Sequence, residues 1–118
     1  MEELEIFEYD GVGYNATMHF DSWRVAIANF GDHFDEERYN YLEAHRLTDE
    51  VFVLLSGKAT LVIGKNFEKT ELEIGKIYNV KRGAYHALLM ARDAKVLIVE
   101  NHNTSRENTD YYYFKDKE

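Results

Sequence analysis

The sequence contains no cysteine and no proline. Without cysteine there is no disulfide, no thiolate-bound metal and no thiol nucleophile, so any chemistry rests on oxygen and nitrogen groups. Without proline, turns fall to Gly, Asn and Asp. There is no unbroken apolar run of about 18 residues, which excludes an ordinary transmembrane helix. Positive charge is also scarce: 14 Lys and Arg stand against 22 Asp and Glu, a net charge of −8. Glu2, Glu3, Glu5, Glu8 and Asp10 crowd the start of the chain. Such a surface repels phosphate backbones, so no nucleic-acid partner is expected. The acidic start is the reverse of a secretion signal's basic one. A cytoplasmic protein without membrane association is expected, with the acidic start as a solvated face.

What is present is β-rich. The 118 residues, 45% of them hydrophobic, suit one core and one domain over 1–118. Short runs rich in β-branched and aromatic residues recur between turn residues: Trp23–Phe30, Val51–Ser56, Ala59–Gly64, Glu71–Val80, His86–Met90, Lys95–Glu100 and Tyr111–Phe114. Gly57-Lys58 between two of them predicts a tight hairpin, and Arg92-Asp93-Ala94 predicts another turn. Many short strands at close spacing predict an antiparallel sandwich or barrel. The tyrosine-rich last run is expected to pack on the barrel or on a second subunit.

The segment Phe34–Leu47 reads two ways. As a helix, Asp35 caps it and Glu36 and Glu37 suit its first turn. As a strand, its period of two puts Tyr39, Tyr41, Glu43 and His45 on one face. A helix would send Glu43 and His45 to nearly opposite sides. From His45 to Glu50 is an odd number of steps, so a continuous strand would part them. The pair converges only if Arg46–Asp49 bends the chain, and Thr48-Asp49 is suitable turn chemistry. Glu50 opens a wholly apolar run, which favours an inward carboxylate with a partner. Phe52 shares its face. A second histidine, His86, follows a turn at Gly83 and heads a strand whose same-face members are Leu88 and Met90.

In this order and spacing the two blocks, about 43–57 and 75–90, resemble the two motifs of the cupins. The first cupin motif has an opening glycine, an HxH pair, then a glutamate and a glycine. His45, Glu50 and Gly57 match it, whereas Glu43 replaces the first histidine and Glu37 the opening glycine. The second, G-x5-P-x-G-x2-H-x3-N, is matched by Gly75, Gly83 and His86, with Lys81 and Met90 replacing the proline and the asparagine. The resemblance implies an all-β, cupin-like antiparallel barrel, a double-stranded β-helix or jelly roll, with a divalent metal inside. It also implies His45, Glu50 and His86 as ligands. Glu43 is then a further ligand, a group behind the ligands or a general base. Two imidazoles and a carboxylate with open positions suit Fe(II) and tolerate Mn, Ni or Zn. The expected pocket residues are Tyr39, Tyr41, Phe52, Leu88, Met90 and Arg82, the last reaching a ligand's carboxylate.

The implied function is a metal-dependent enzyme on a small polar metabolite, with isomerase, lyase or dioxygenase chemistry all open. The alternative is a non-catalytic cupin that binds or senses a small ligand, with or without metal. Exposed strand edges and the tyrosine-rich tail suggest a homodimer. His19, His33 and His102 are read as ordinary polar residues. Asp32–Glu37 is read as a solvated loop, because it lacks the glycine of a calcium-binding loop.

Overall fold

The computed structural model describes residues 2–115. Ten strands carry the chain: β1 (Tyr14–Phe20), β2 (Trp23–Asn29), β3 (Tyr41–His45), β4 (Glu50–Ser56), β5 (Ala59–Ile63), β6 (Glu68–Glu71), β7 (Tyr78–Val80), β8 (His86–Met90), β9 (Lys95–Asn101) and β10 (Thr109–Tyr113). They form two antiparallel five-stranded sheets, in the orders β1-β2-β9-β4-β7 and β10-β3-β8-β5-β6. Among the described residues helix is confined to two short 3-10 turns, Asp32–Phe34 and Arg106–Asn108. None is long and apolar enough to cross a membrane. The antiparallel all-β barrel expected from the strand spacing is the one observed, and its two sheets are consistent with the jelly roll that the resemblance implies.

Alternation explains which side chains fill the barrel. Phe52 and Leu54 of β4 and Val96 and Ile98 of β9 point inward from one sheet. Leu61 of β5 and Leu88 and Met90 of β8 meet them from the other. The second sheet also has a covered outer face. Leu42, Val62 and Leu89 lie there under Phe67, Tyr112 and Phe114. The tyrosine-rich tail thus packs on the barrel, with Tyr112 outward-facing and Tyr111 and Tyr113 stacked edge-on or tilted around Tyr41. Between the two readings of residues 34–47, the strand wins over Tyr41–His45. Leu42 and Ala44 are buried on the outer side, which turns Tyr41, Glu43 and His45 inward.

One expectation is corrected. Gly57-Lys58 does not close a hairpin, because β4 and β5 belong to different sheets. The turn carries the chain across the barrel instead, as does the turn Ala91–Ala94 between β8 and β9. The two crossings pack together. Gly57 has φ +73°, and a Cβ there would lie 2.6 Å from Ala94 Cα and from the Asp93 carbonyl oxygen. Backbone cannot give way as a flexible side chain does. Gly57→Ala is therefore expected to cost about 3 kcal/mol or more from the left-handed backbone and the clash together. Gly64 has φ +77° with open space around it, so Gly64→Ala should cost only about 1 kcal/mol. Urea denaturation of the two variants checks this, and equal losses would show that the contact at Ala94 does not matter.

A candidate metal centre in the barrel

The site forms where strand ends from both sheets meet, at the end of the barrel away from Gly57. His45 closes β3 in one sheet and Glu50 opens β4 in the other. The odd spacing between them is resolved by this change of sheet, since both now point inward from opposite walls. The bend is held in place. The Asp49 carboxylate accepts hydrogen bonds from Asn79 Nδ2 (3.0 Å) and from the Arg82 backbone N–H (2.8 Å), which hold its pKa below the usual carboxylate range. The Gly83 N–H donates to the His45 carbonyl at 2.8 Å. The bend after His45 is thereby tied to the turn before His86.

Three side chains converge. His45 Nε2 lies 3.0 Å and His86 Nε2 2.8 Å from the same oxygen, Glu50 Oε1. The candidate ligand atoms of the three residues are all within 4.8 Å of one another, and all three side chains are buried. The other ring nitrogens are committed. His86 Nδ1 is 3.0 Å from the Ala84 carbonyl, which only accepts, so Nδ1 carries a proton. His45 Nδ1 is 3.0 Å from Thr109 Oγ1. That hydroxyl spends its own proton on the Ser105 carbonyl at 2.7 Å, so His45 Nδ1 also donates.

The tautomers then follow. Neutral imidazoles with Nδ1–H aim two Nε2 lone pairs at a carboxylate oxygen, which is repulsive. Either each Nε2 carries a proton or one shared cation sits among the three atoms. Fixing Nδ1–H from behind is also how proteins orient histidines that bind metal through Nε2. The donor set and its supporting hydrogen bonds therefore fit a divalent metal.

The pKa values agree. Burial alone would lower His45 and His86, but the hydrogen bonds and charge of Glu50 outweigh it and raise both. Burial alone would raise Glu50, yet the hydrogen bonds of the two histidines pull it down to about 2.

Above the triad the barrel opens into a cavity of about 950 Å³. Tyr39, Tyr41, Phe52, Leu88 and Glu43 line it. Glu43 faces His86 across the β3–β8 pairing but falls outside the close group of three. Its carboxylate lies 4.0 Å from His33 Nε2.

Met90 and Arg82 lie elsewhere. Met90 shares the inward face of His86, but four residues along a strand is about 13 Å, and it is buried in the core. The Arg82 side chain is exposed, with its backbone N–H held by Asp49. The cations at the cavity are instead Arg24, Arg38, Arg106 and Lys115. Asp32–Glu37 is more than a solvated loop. His33 and the buried Phe34 both reach the cavity wall.

Sequence reasoning missed Glu100. It is buried at the inner end of β9, beside Glu50 and His45. Its Oε2 accepts from Tyr14 Oη (2.6 Å) and Arg24 Nη2 (3.0 Å). Its Oε1 has no hydrogen-bond partner among the described residues and lies 4.0 Å from His45 Nε2. Burial first, then the charge of Glu50, push its pKa up against the pull of Tyr14 and Arg24. The signal was in the run Val96-Ile98-Glu100, a carboxylate in the third place of an inward apolar alternation.

No family model matches the chain, and no curated protein matches it. Solved structures do. A cupin-2 domain-containing protein from Shewanella frigidimarina is 14% identical, with a TM-score of 0.60, over 80% of this chain and 85% of that one. Streptomyces Pac13, described as a unique nucleoside dehydratase, is 10% identical with a TM-score of 0.66, over 93% and 88%. Variants of Pac13 are solved with uridine. The Fe(II) form of HppE is 18% identical with a TM-score of 0.59, over 75% of this chain and 48% of that one. At these identities the likeness is one of fold.

Proposed function

We propose, from the cupin fold of this chain and the site inside it, that the protein is a metal-dependent enzyme acting on a small, oxygen-rich metabolite. One observation carries this: two imidazoles, both locked as Nδ1–H donors, turn their Nε2 atoms onto one buried carboxylate oxygen at the floor of an open cavity. His45, Glu50 and His86 would hold the metal. When bound, a divalent ion polarises oxygens of a substrate and lowers the cost of negative charge on them.

The chain's own groups do the rest. Phe52, Leu88 and Ile98 form a dry wall beside the triad. Glu43, half-buried on the same face as His45, is the group placed to take a proton from a bound substrate. Tyr41 and Tyr111 line the same cavity and offer flat apolar surface to a ligand. Among the fold's solved relatives, Pac13 and HppE support an enzymatic reading, and the uridine in Pac13 supports a small polar ligand.

The test is metal analysis of protein purified without chelator, for the wild type, His45→Ala and His86→Ala. The expected result is about one metal per chain in the wild type and little in either variant. Stoichiometric metal untouched by both substitutions would sink the site. Metal uptake without turnover across a panel of sugars, hydroxy acids and nucleosides would favour a non-catalytic binding or sensing role.

A further inference from the structure

Beyond the triad, the cavity floor holds a second carboxylate that no feature of the cupin motifs accounts for. Glu100 is 95% buried, with relative exposure of 5%. Its Oε2 is clamped by Tyr14 and Arg24, and Arg24 Nε also donates to Tyr14 Oη at 3.0 Å, so the three side chains form a closed ring of hydrogen bonds. Arg24 stands directly across from Glu100 in the β2–β9 pairing, so the ring is built into the sheet. This clamp fixes the rotation of the carboxylate and leaves Oε1 buried in the cavity wall, without a donor among the described residues. A buried acceptor left unmet weighs against the folded state. A fold that keeps one in the wall of its cavity, and braces it from behind, is built to receive a donor there.

We propose that Glu100 Oε1 accepts a hydrogen bond from the substrate, so the site selects ligands that bring a hydroxyl or amino donor to the place beside His45. This rests on the proposed function for the position of the ligand and adds its chemistry. The substrate class is a hydroxylated metabolite, such as a hydroxy acid or polyol, in preference to a keto compound of equal size. An acceptor-only group set against Glu100 meets a second acceptor and is repelled.

Lactate and pyruvate test this as a matched pair, since they differ in the donor and little else. Their binding is measured by calorimetry with and without Mn2+, for the wild type and Glu100→Gln. Glutamine keeps the shape. Its carbonyl oxygen is drawn to the donors Tyr14 and Arg24, which turns the amide N–H toward the cavity and replaces an acceptor with a donor. The wild type is expected to bind lactate about ten- to a hundredfold more tightly than pyruvate. Glu100→Gln should bring the two within about threefold by losing lactate and gaining pyruvate.

Equal wild-type affinities, or failure of both acids to bind, overturns the proposal even if Glu100→Gln does not fold. So does an unchanged preference in a folded Glu100→Gln. Absence of Mn2+ uptake counts against the metal reading alone, because the lactate preference is still read on the metal-free protein.

Discussion

Glu50→Gln is expected to abolish metal retention while leaving the barrel folded. Glu50 Oε1 is the one atom that both Nε2 atoms address. An apparent metal-binding free energy of about 10 kcal/mol shared among three donors assigns on the order of 3 kcal/mol to each, or more than a hundredfold in affinity. The variant also removes the buried negative charge that keeps both imidazoles basic. The amide of glutamine can donate to one Nε2, so the floor of the cavity satisfies itself without cation or extra proton. Competition against a chromophoric chelator measures the loss. Wild-type affinity in the variant would mean that Glu50 organises the histidines but does not hold the ion.

A second large effect is expected from pH, with opposite signs for the metal-free and metal-loaded protein. Without metal, the two histidines titrate above their ordinary 6.5 in the folded chain. Their contribution is complete below that value and is lost as pH rises through the raised values. Glu50 titrates near 2 rather than at its ordinary 4.5, so its contribution is complete above 4.5 and is lost as pH falls toward 2. Those three groups favour the metal-free protein most between about pH 4.5 and 6.5. Glu100, whose pKa is raised, withdraws stability as pH climbs above 4.5, so the optimum lies at the acid end of that window and the protein weakens as the solution becomes alkaline.

Metal reverses the trend, because it takes the place of the two Nε2 protons. Where both imidazoles are charged, affinity should rise by up to a hundredfold per pH unit, about 2.7 kcal/mol for two protons. Thermal melts with and without Zn2+ should nearly coincide at about pH 5 and separate at about pH 8. Proton release, read by calorimetry in buffers of different ionisation enthalpy, should approach two per metal. An affinity that is flat in pH would contradict the Nδ1–H assignment of His45 and His86 on which the site is built.

How far the sequence could be read depended on distance along the chain. Within a strand, parity put Tyr41, Glu43 and His45 on one face, and the odd step from His45 to Glu50 demanded a bend. Parity put Tyr39 there too, but it precedes β3 and packs against Phe114 beside the outer cluster. The glycines at 57 and 83 marked real turns, both with positive φ. What parity cannot say is which sheet a strand joins. Gly57-Lys58 has the length of a hairpin turn and is a crossing between sheets, because hydrogen-bond partners are chosen across the barrel and not by the nearest neighbour in sequence. Depth along the axis was equally hidden. Met90 shares a face with His86 but sits in the core rather than at the cavity. Glu100 escaped notice because β9 reads as an apolar run, and its brace, Tyr14 and Arg24, lies more than seventy residues away. Only the fold brings that ring together.

The barrel keeps the two crossing turns that pack together, Gly57 against Ala94, at one end and the ends of β3, β4 and β9 that carry His45, Glu50 and Glu100 at the other. Architecture and chemistry are thus the business of opposite poles. The stretches 31–40 and 102–108, which rim the cavity, also lead from one sheet to the other but stand apart from the packed pair of turns at Gly57 and Ala94. Loops of this kind can be exchanged at little cost to the packing beneath them where Phe34, which belongs to the core, and Ser105, which holds Thr109 behind His45, are kept. For an engineer, the molecule offers a rigid cup with an editable lip, and a new ligand preference can be sought by grafting at the lip while the cup is left alone.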